Sequence, residues 1–189
     1  MKKKIDYLAI IQARLSSSRL PGKVLKKINN KTVIEFLIDR LKLSKKINKI
    51  VVATTSNVKD KKILQILKQK KISYYSGSEE NVLQRYYKCA KKFRAKNIIR
   101  ITSDCPLLDY RIVDKVVLEF EKSKVDFASN SLKLTFPDGM DFEVFNFNTL
   151  EKTYVNAKSK YDLEHVSPYM RRSKNLNYLT FHTKKIIVF

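Results

Sequence analysis

The sequence predicts an α/β protein built on a doubly wound, mostly parallel sheet, and three observations carry that prediction. Short apolar or β-branched runs alternate with amphipathic helical stretches over residues 7–121. The first runs are apolar along most of their length, as strands buried on both faces are. The loops after them collect polar, basic and glycine residues, on the edge where an open α/β sheet takes its ligands.

Strands are expected at Tyr7–Gln12, Ile50–Thr54, Ile72–Tyr75 and Asn97–Thr102. Between them Val33–Leu43 reads as a helix, and so does Val58–Lys70, where Ile63, Leu64 and Leu67 share a face. A third helix, Glu79–Arg94, turns Val82, Leu83, Tyr86, Tyr87 and Ala90 inward, with Ser78 as N-cap and two glutamates in the first turn. A fourth, Ile112–Glu121, takes Asp109 as its cap and buries Val113, Val116, Val117 and Phe120. Such repeats close with right-handed crossovers. After Val125–Ala128 come a loop at residues 130–139 and an alternating run, Met140–Phe145, which suits a strand or a contact between two copies. A helical tail, Thr149–Arg172, interrupted at Pro168, and a last strand, Leu176–Phe181, complete the pattern, which fits one domain over residues 1–189.

A formal net charge of +22 invites a nucleic-acid reading, but its lysines are scattered along the chain without interleaved aromatics, so a basic surface that steers anions is the reading adopted. The paired Tyr86 and Tyr87 fall at core-like helical spacing rather than on a strand surface. The basic start Met1–Lys4 precedes an apolar run too short for an export signal, and no stretch approaches the ~20 apolar residues of a membrane span. Cys89 and Cys105 are too few for a disulfide framework and suit a reducing, cytoplasmic setting.

The loop after the first strand, Ala13–Lys23, carries Arg14, Ser18, Arg19, Gly22 and Lys23: cations, hydroxyls and backbone amides converging as a polyphosphate requires. The loop after the fourth places Asp104 at a strand end, where it fits either a turn aspartate or a ligand to a divalent metal bridging phosphate oxygens. Gly22, Gly77 and Gly139 each adjoin a strand, as ordinary turns or as a rim of the site. Neither a Walker A sequence nor GxGxxG occurs, which disfavours P-loop and dinucleotide readings. Asp104-Cys105-Pro106 is not the Asp-x-Asp of a metal-dependent glycosyltransferase.

Ile11-Gln12-Ala13-Arg14 with Arg19-Leu20-Pro21-Gly22-Lys23, Val51–Thr55, Gly77-Ser78-Glu79, Arg100–Leu107, Pro137–Val144 and Glu164–Tyr169 together resemble the spore-coat-polysaccharide, SpsF-type branch of the cytidylyltransferases, itself similar to the acylneuraminate and KDO enzymes. The resemblance implies a homodimeric enzyme of the nucleotide-diphospho-sugar transferase (Rossmann-like) fold that joins CTP to an acidic sugar or similar acid with Mg²⁺ and releases pyrophosphate. By it, Arg14, Lys23 and Asp104 are catalytic, with Ser18, Arg19 and Gly22 beside the triphosphate. Ala13, Ala53, Thr54, Ser76, Gly77, Ser78 and Arg85 hold the nucleotide, while Asp138, Asp141, Glu143, Glu164, His165 and Arg171 face the acceptor. His165 and Arg171 also admit readings as a structural histidine and a solvated arginine. The branch usually continues into a Thr-Val-Asp-x-Pro-Glu-Asp-type segment that supplies a second metal ligand, which this sequence, ending at Phe189, does not show. Asp141 joins Asp104 as metal ligand in its place, or the protein is a catalytically impaired relative that binds nucleotide.

Overall fold

The computed structural model describes residues 3–16, 20–133 and 135–182. Strand β1, Ile5–Gln12, alternates its side chains between two cores. Ile11 joins one core, and Leu8 and Ile10 join the other.

 Tyr7 and Ala9 lie on the same side as Ile11. That pattern makes β1 a central strand.

The hairpin β2 (Lys27–Ile28) and β3 (Lys31–Thr32) was not expected from the sequence. Its two-residue turn, Asn29-Asn30, has φ of +46° and +67°, the primed-turn geometry that asparagine tolerates. Thr32 and Glu35 then form a reciprocal capping box that starts α1, Val33–Leu41. β4 (Lys49–Thr55) leads through a 3₁₀ turn, Val58–Asp60, into α2, Lys61–Gln69. β5 is Ser73–Gly77 and α3 is Val82–Lys92. The start of α3 differs from expectation: its cap is Asn81, whose side chain accepts from Gln84 N, while Ser78 Oγ accepts from Asn81 N. β6 (Ala95–Thr102) precedes α4, Tyr110–Ser123, which Asp109 caps as the sequence predicts.

The remaining elements are β7 (Phe127–Ser129), β8 (Phe142–Asn146), α5 (Phe147–Asn156), α6 (Lys160–His165), α7 (Pro168–Arg172) and β9 (Tyr178–Thr180). The expected single tail is thus three helices, broken at Ala157–Ser159 as well as before Pro168.

The large sheet has the order β5-β4-β1-β6-β8-β7-β9, and β8 pairs antiparallel with both neighbours while the other described pairings are parallel. β8 follows β7 through a loop rather than a crossover helix, and a short return of that kind reverses direction. Phe142, Val144 and Phe145 are buried within the chain, so the run expected to alternate is an inner strand with no face left for a second copy. One face of the sheet packs α1, α2 and α4 through Leu37, Leu67 and Val116; the other packs α3, α5 and α7 through Tyr86, Leu150 and Met170. Each such aliphatic side chain, fully buried, contributes about 1.5–3 kcal/mol.

Candidate active site

The parallel strands β1, β4, β5 and β6 end at Gln12, Thr55, Gly77 and Thr102 along one edge of the sheet. Reversed β8 begins at that edge, with Phe142 opposite Ile101 and Glu143 opposite Arg100. Two cavities open there, of about 370 and 460 Å³, and they share Arg100, Thr102 and Asp104.

The first cavity is walled by the loop after β1. Ala13 N donates to the Ala53 carbonyl (3.2 Å), and Leu15 N donates to Asp60 Oδ1 (2.8 Å). Gly22 closes the loop by donating its amide to the Leu15 carbonyl (3.0 Å) in a left-handed conformation, φ +67°, that favours glycine. Asp60 is buried and also accepts from the Thr55 hydroxyl. Glu79 accepts from Ser16 Oγ (2.6 Å) and Asn57 Nδ2 (2.8 Å), tying the same loop to the segment after β5. Ser18 and Arg19 lie outside the described residues.

This framework directs Arg14 and Lys23 into the cavity beside Arg85, Glu164 and His165. Lys23 Nζ lies 2.5 Å from Asp104 Oδ2. Burial pushes the Asp104 carboxyl up, but hydrogen bonds from Lys23 and Thr102 outweigh it and hold the group below its ordinary value. Arg40 steadies the Asp104 turn from behind, donating from Nε to the Leu108 carbonyl and from Nη2 to the Leu107 carbonyl, both at 3.1 Å. Arg14 Nη2 stands 3.8 Å from Glu164 Oε1, an exposed pair of small energetic weight.

Arg85 is 2% exposed; its Nη1 donates to the Ser78 carbonyl (2.5 Å), and its Nε finds no partner among the described residues. Burial, and then the charge of Arg14, lower its pKa. A Cβ on Gly77 would sit 2.9 Å from Tyr75 Cε1 and 3.2 Å from Arg85 Cγ, so the missing side chain gives the Arg85 stem its place. Ala53 and Thr54 are fully buried in β4, and Ser76–Ser78 lie at the end of β5; none of these lines either cavity.

The second cavity gathers Asp138, Gly139, Asp141, Glu143 and Arg171. Glu164 and His165, expected on the acceptor side, line the first cavity instead because α6 packs against α3. Glu143 is 1% exposed and accepts from Arg100, Ser167 and Arg171. Arg100, Gln12 and Asp60 were not singled out for roles from the sequence. The signal for Arg100 was its place on the face of β6 shared by Thr102, two residues on.

Asp104 and Asp141 both line the second cavity and offer oxygen donors of the kind a hard divalent cation prefers. Burial first, then the Asp138 carboxylate, raise the Asp141 pKa; Glu143 and Asp104 add to this, while Arg171 opposes it. That local excess of negative charge suits a cation. Among the described residues no group of three or more His, Cys, Asp or Glu could hold a metal, so substrate and water would complete its shell.

The cytidylyltransferase family profile matches residues 8–188. The chain is 40% identical over 172 residues to an uncharacterized protein of Methanocaldococcus jannaschii, covering 91% of this chain and 70% of that protein. It is 31% identical over 181 residues to the spore coat polysaccharide biosynthesis protein SpsF of Bacillus subtilis, covering 93% and 74% of the two chains. Against a 3-deoxy-manno-octulosonate cytidylyltransferase of Fusobacterium nucleatum it is 30% identical over 177 residues, covering 92% and 69%. The solved structure of a cytidylyltransferase from Leptospira borgpetersenii superposes with a TM-score of 0.92 at 34% identity, over 96% of this chain and 78% of that one.

Proposed function

The chain belongs to the cytidylyltransferase family and is a nucleotidyltransferase, and from that premise we propose that it couples CTP to an acidic sugar, giving a CMP-activated product and pyrophosphate for surface-glycan synthesis. The observation that carries this reading is the meeting of two polar cavities at Asp104, one walled by Arg14, Lys23 and Arg85, the other by Asp138, Asp141 and Arg171. The names of the relatives from Bacillus subtilis and Fusobacterium nucleatum support the acceptor class.

In this reading the triphosphate lies along Arg14 and Lys23, with Ser18 and Arg19 of the same loop beside it. The base and ribose fall to the part of the first cavity walled by Ala13 and Arg85, which the ends of β4 and β5, residues 53–54 and 76–78, hold in place from behind. An acceptor hydroxyl from the second cavity attacks the α-phosphorus; the new P–O bond forms as the α–β bridging bond breaks, and the hydroxyl proton is released. Fixed cations aimed at the phosphates stabilise the charge that develops on them. Asp104 and Asp141 would hold Mg²⁺, which would supply further charge neutralisation on the phosphate oxygens. Arg171 suits an anionic group on the acceptor, and Asp138 suits its hydroxyls. Among the described residues no helix is long and apolar enough to cross a membrane. A cytoplasmic homodimer is the expected working form, which size-exclusion chromatography checks.

Calorimetric titration with CTP, with and without Mg²⁺, tests the reading on the parent and on Asp104→Ala. CTP-selective binding that Mg²⁺ strengthens only when Asp104 is present supports it. Binding of single-stranded RNA with steep salt dependence, and no binding of CTP, would overturn it.

A further inference from the structure

The second cavity contains a charged group that is almost wholly shielded from solvent, Glu143, 1% exposed. Glu143 Oε1 accepts from Ser167 Oγ (2.6 Å) and from Arg171 Nη2 (2.5 Å) and Nε (3.2 Å), while Oε2 accepts from Arg100 Nη1 (2.9 Å). One carboxylate thus holds two guanidiniums from β6 and α7. Arg100 Nε has no partner among the described residues, so Glu143 is the principal counter-charge of a buried cation.

Ser167 brings in a third element. It stands at the N-cap of α7, yet its hydroxyl makes no cap bond there and donates to Glu143 instead. The residue before it, Val166, is fully buried with φ +70° and ψ −56°, and Ser167 N donates to the His165 carbonyl (2.8 Å). This is a γ-turn on a β-branched residue, a strained conformation that persists only where the surroundings hold it. His165, on one side of the turn, lines the first cavity; Arg171, on the other, lines the second.

We propose that Glu143 is a positioning residue that fixes the walls of both cavities to one buried carboxylate: Arg100 where they meet, Arg171 on the acceptor side and, through Ser167, the strained turn that places His165 on the nucleotide side. It acts through these groups and not by contact with either substrate. The assignment of the cavities to nucleotide and acceptor rests on the function proposed above.

The test compares Glu143→Gln, Arg171→Gln and the double variant, with circular dichroism as a check on folding. Pyrophosphate release is followed with CTP and 3-deoxy-manno-octulosonate as the probe acceptor. Each single change is expected to raise the acceptor KM about 10- to 100-fold, the scale of a lost charge-assisted hydrogen bond. The double variant should have an acceptor KM at or above that of Arg171→Gln but well below the product of the two single factors, because part of the effect of Glu143 runs through that arginine and the rest through Arg100. Single-variant factors that multiply, or a Glu143→Gln variant with a smaller active fraction and an unchanged KM, would overturn the proposal.

Should the parent release no pyrophosphate with this probe, the proposed acceptor is at fault, and a second readout still decides the role of Glu143. The Arg171 Nε–H resonance, identified by its loss in Arg171→Lys, should be protected from solvent exchange in the parent and exposed in Glu143→Gln; equal protection in both refutes the role. If Glu143→Gln does not fold, Ser167→Ala cuts the tether to the turn while keeping every charge. It should weaken CTP binding about three- to tenfold, as the loss of a single hydrogen bond does, and unchanged affinity would count against the proposal.

Discussion

Asp60 is the residue that links stability to the geometry of the first cavity, because one buried carboxylate holds the loop after β1 and the end of β4 together. Asp60→Ala removes the acceptor for Leu15 N and for the Thr55 hydroxyl at once. Thr55 is 1% exposed, so its O–H, left without an acceptor although the oxygen still accepts from Asn57 N, is not rescued by bulk water. An unsatisfied buried donor costs about 1–3 kcal/mol, and the part-buried Leu15 amide adds about 1 kcal/mol. The sum, about 2–4 kcal/mol, corresponds to a fall of about 4–16 °C in melting midpoint for a chain of this size. Asp60→Asn keeps Oδ1 for Leu15 and presents an amide to a hydroxyl that can rotate to accept, so its cost should be about 1 kcal/mol. Thermal melts followed by far-ultraviolet circular dichroism measure both, and CTP titration below the transition reports whether the loop has lost its anchor. An Asp60→Ala protein melting within two degrees or so of the parent, on the scale of under 1 kcal/mol, would refute the reasoning. So would Asp60→Asn as damaging as Asp60→Ala.

Three further outcomes follow from the same structure. Hydrogen bonds from Arg172, working against burial and joined by Ser159, hold the Asp162 carboxyl below its ordinary value; a folded-state pKa below the unfolded one of about 3.9 gives stability that is present above that value and lost as pH falls through the folded one. Asp162→Asn should therefore lower the urea midpoint at pH 7 and converge with the parent in strong acid, and a gap independent of pH would contradict this. Gly77→Ala should cost about 1–3 kcal/mol by overpacking against Tyr75 and Arg85 and should weaken CTP binding, measured by urea unfolding and calorimetry; a neutral effect on both would show that Arg85 has room to move. Burial pushes the Cys89 thiol up to about 12, so in a Cys105→Ser background a disulfide reagent at neutral pH should label the protein only after unfolding, and prompt labelling of the native form would contradict the burial of that helix face.

The local parts of this molecule were legible because their causes are local. Asp109 caps α4 since its side chain needs only the amide two residues on, Arg111 N, at 2.8 Å. The inner faces of α3 and α4 followed from their period, and the loop holding Arg14 and Lys23 declared itself by composition. The start of α3 was misread where tertiary structure intervened: Glu79, expected in the first turn, is drawn to Ser16 and Asn57 across the site. Periodicity carries no information about strand direction, so the reversal of β8 was invisible. Arg100 stands in a segment that carries the family resemblance, yet its role is hidden because its partner, Glu143, lies 43 residues away. The place of His165 in the first cavity likewise depends on how α6 packs, which no sequence window contains.

The central place of β1 also sets an order of events during synthesis. Gln12 pairs with Ala53 on one side and with Thr102 on the other, and Lys23 meets Asp104 across 81 residues of chain. This inner strand is made before either of its neighbours, and one of its edges stays unpaired until β6 has left the ribosome. Long-range closure of this kind folds slowly, and an apolar strand waiting for its neighbour is prone to associate with other chains. A nascent chain arrested before β6 should accordingly be sticky and unable to assemble the cation-lined cavity, and release of the following segment should bring solubility and the binding site into being together.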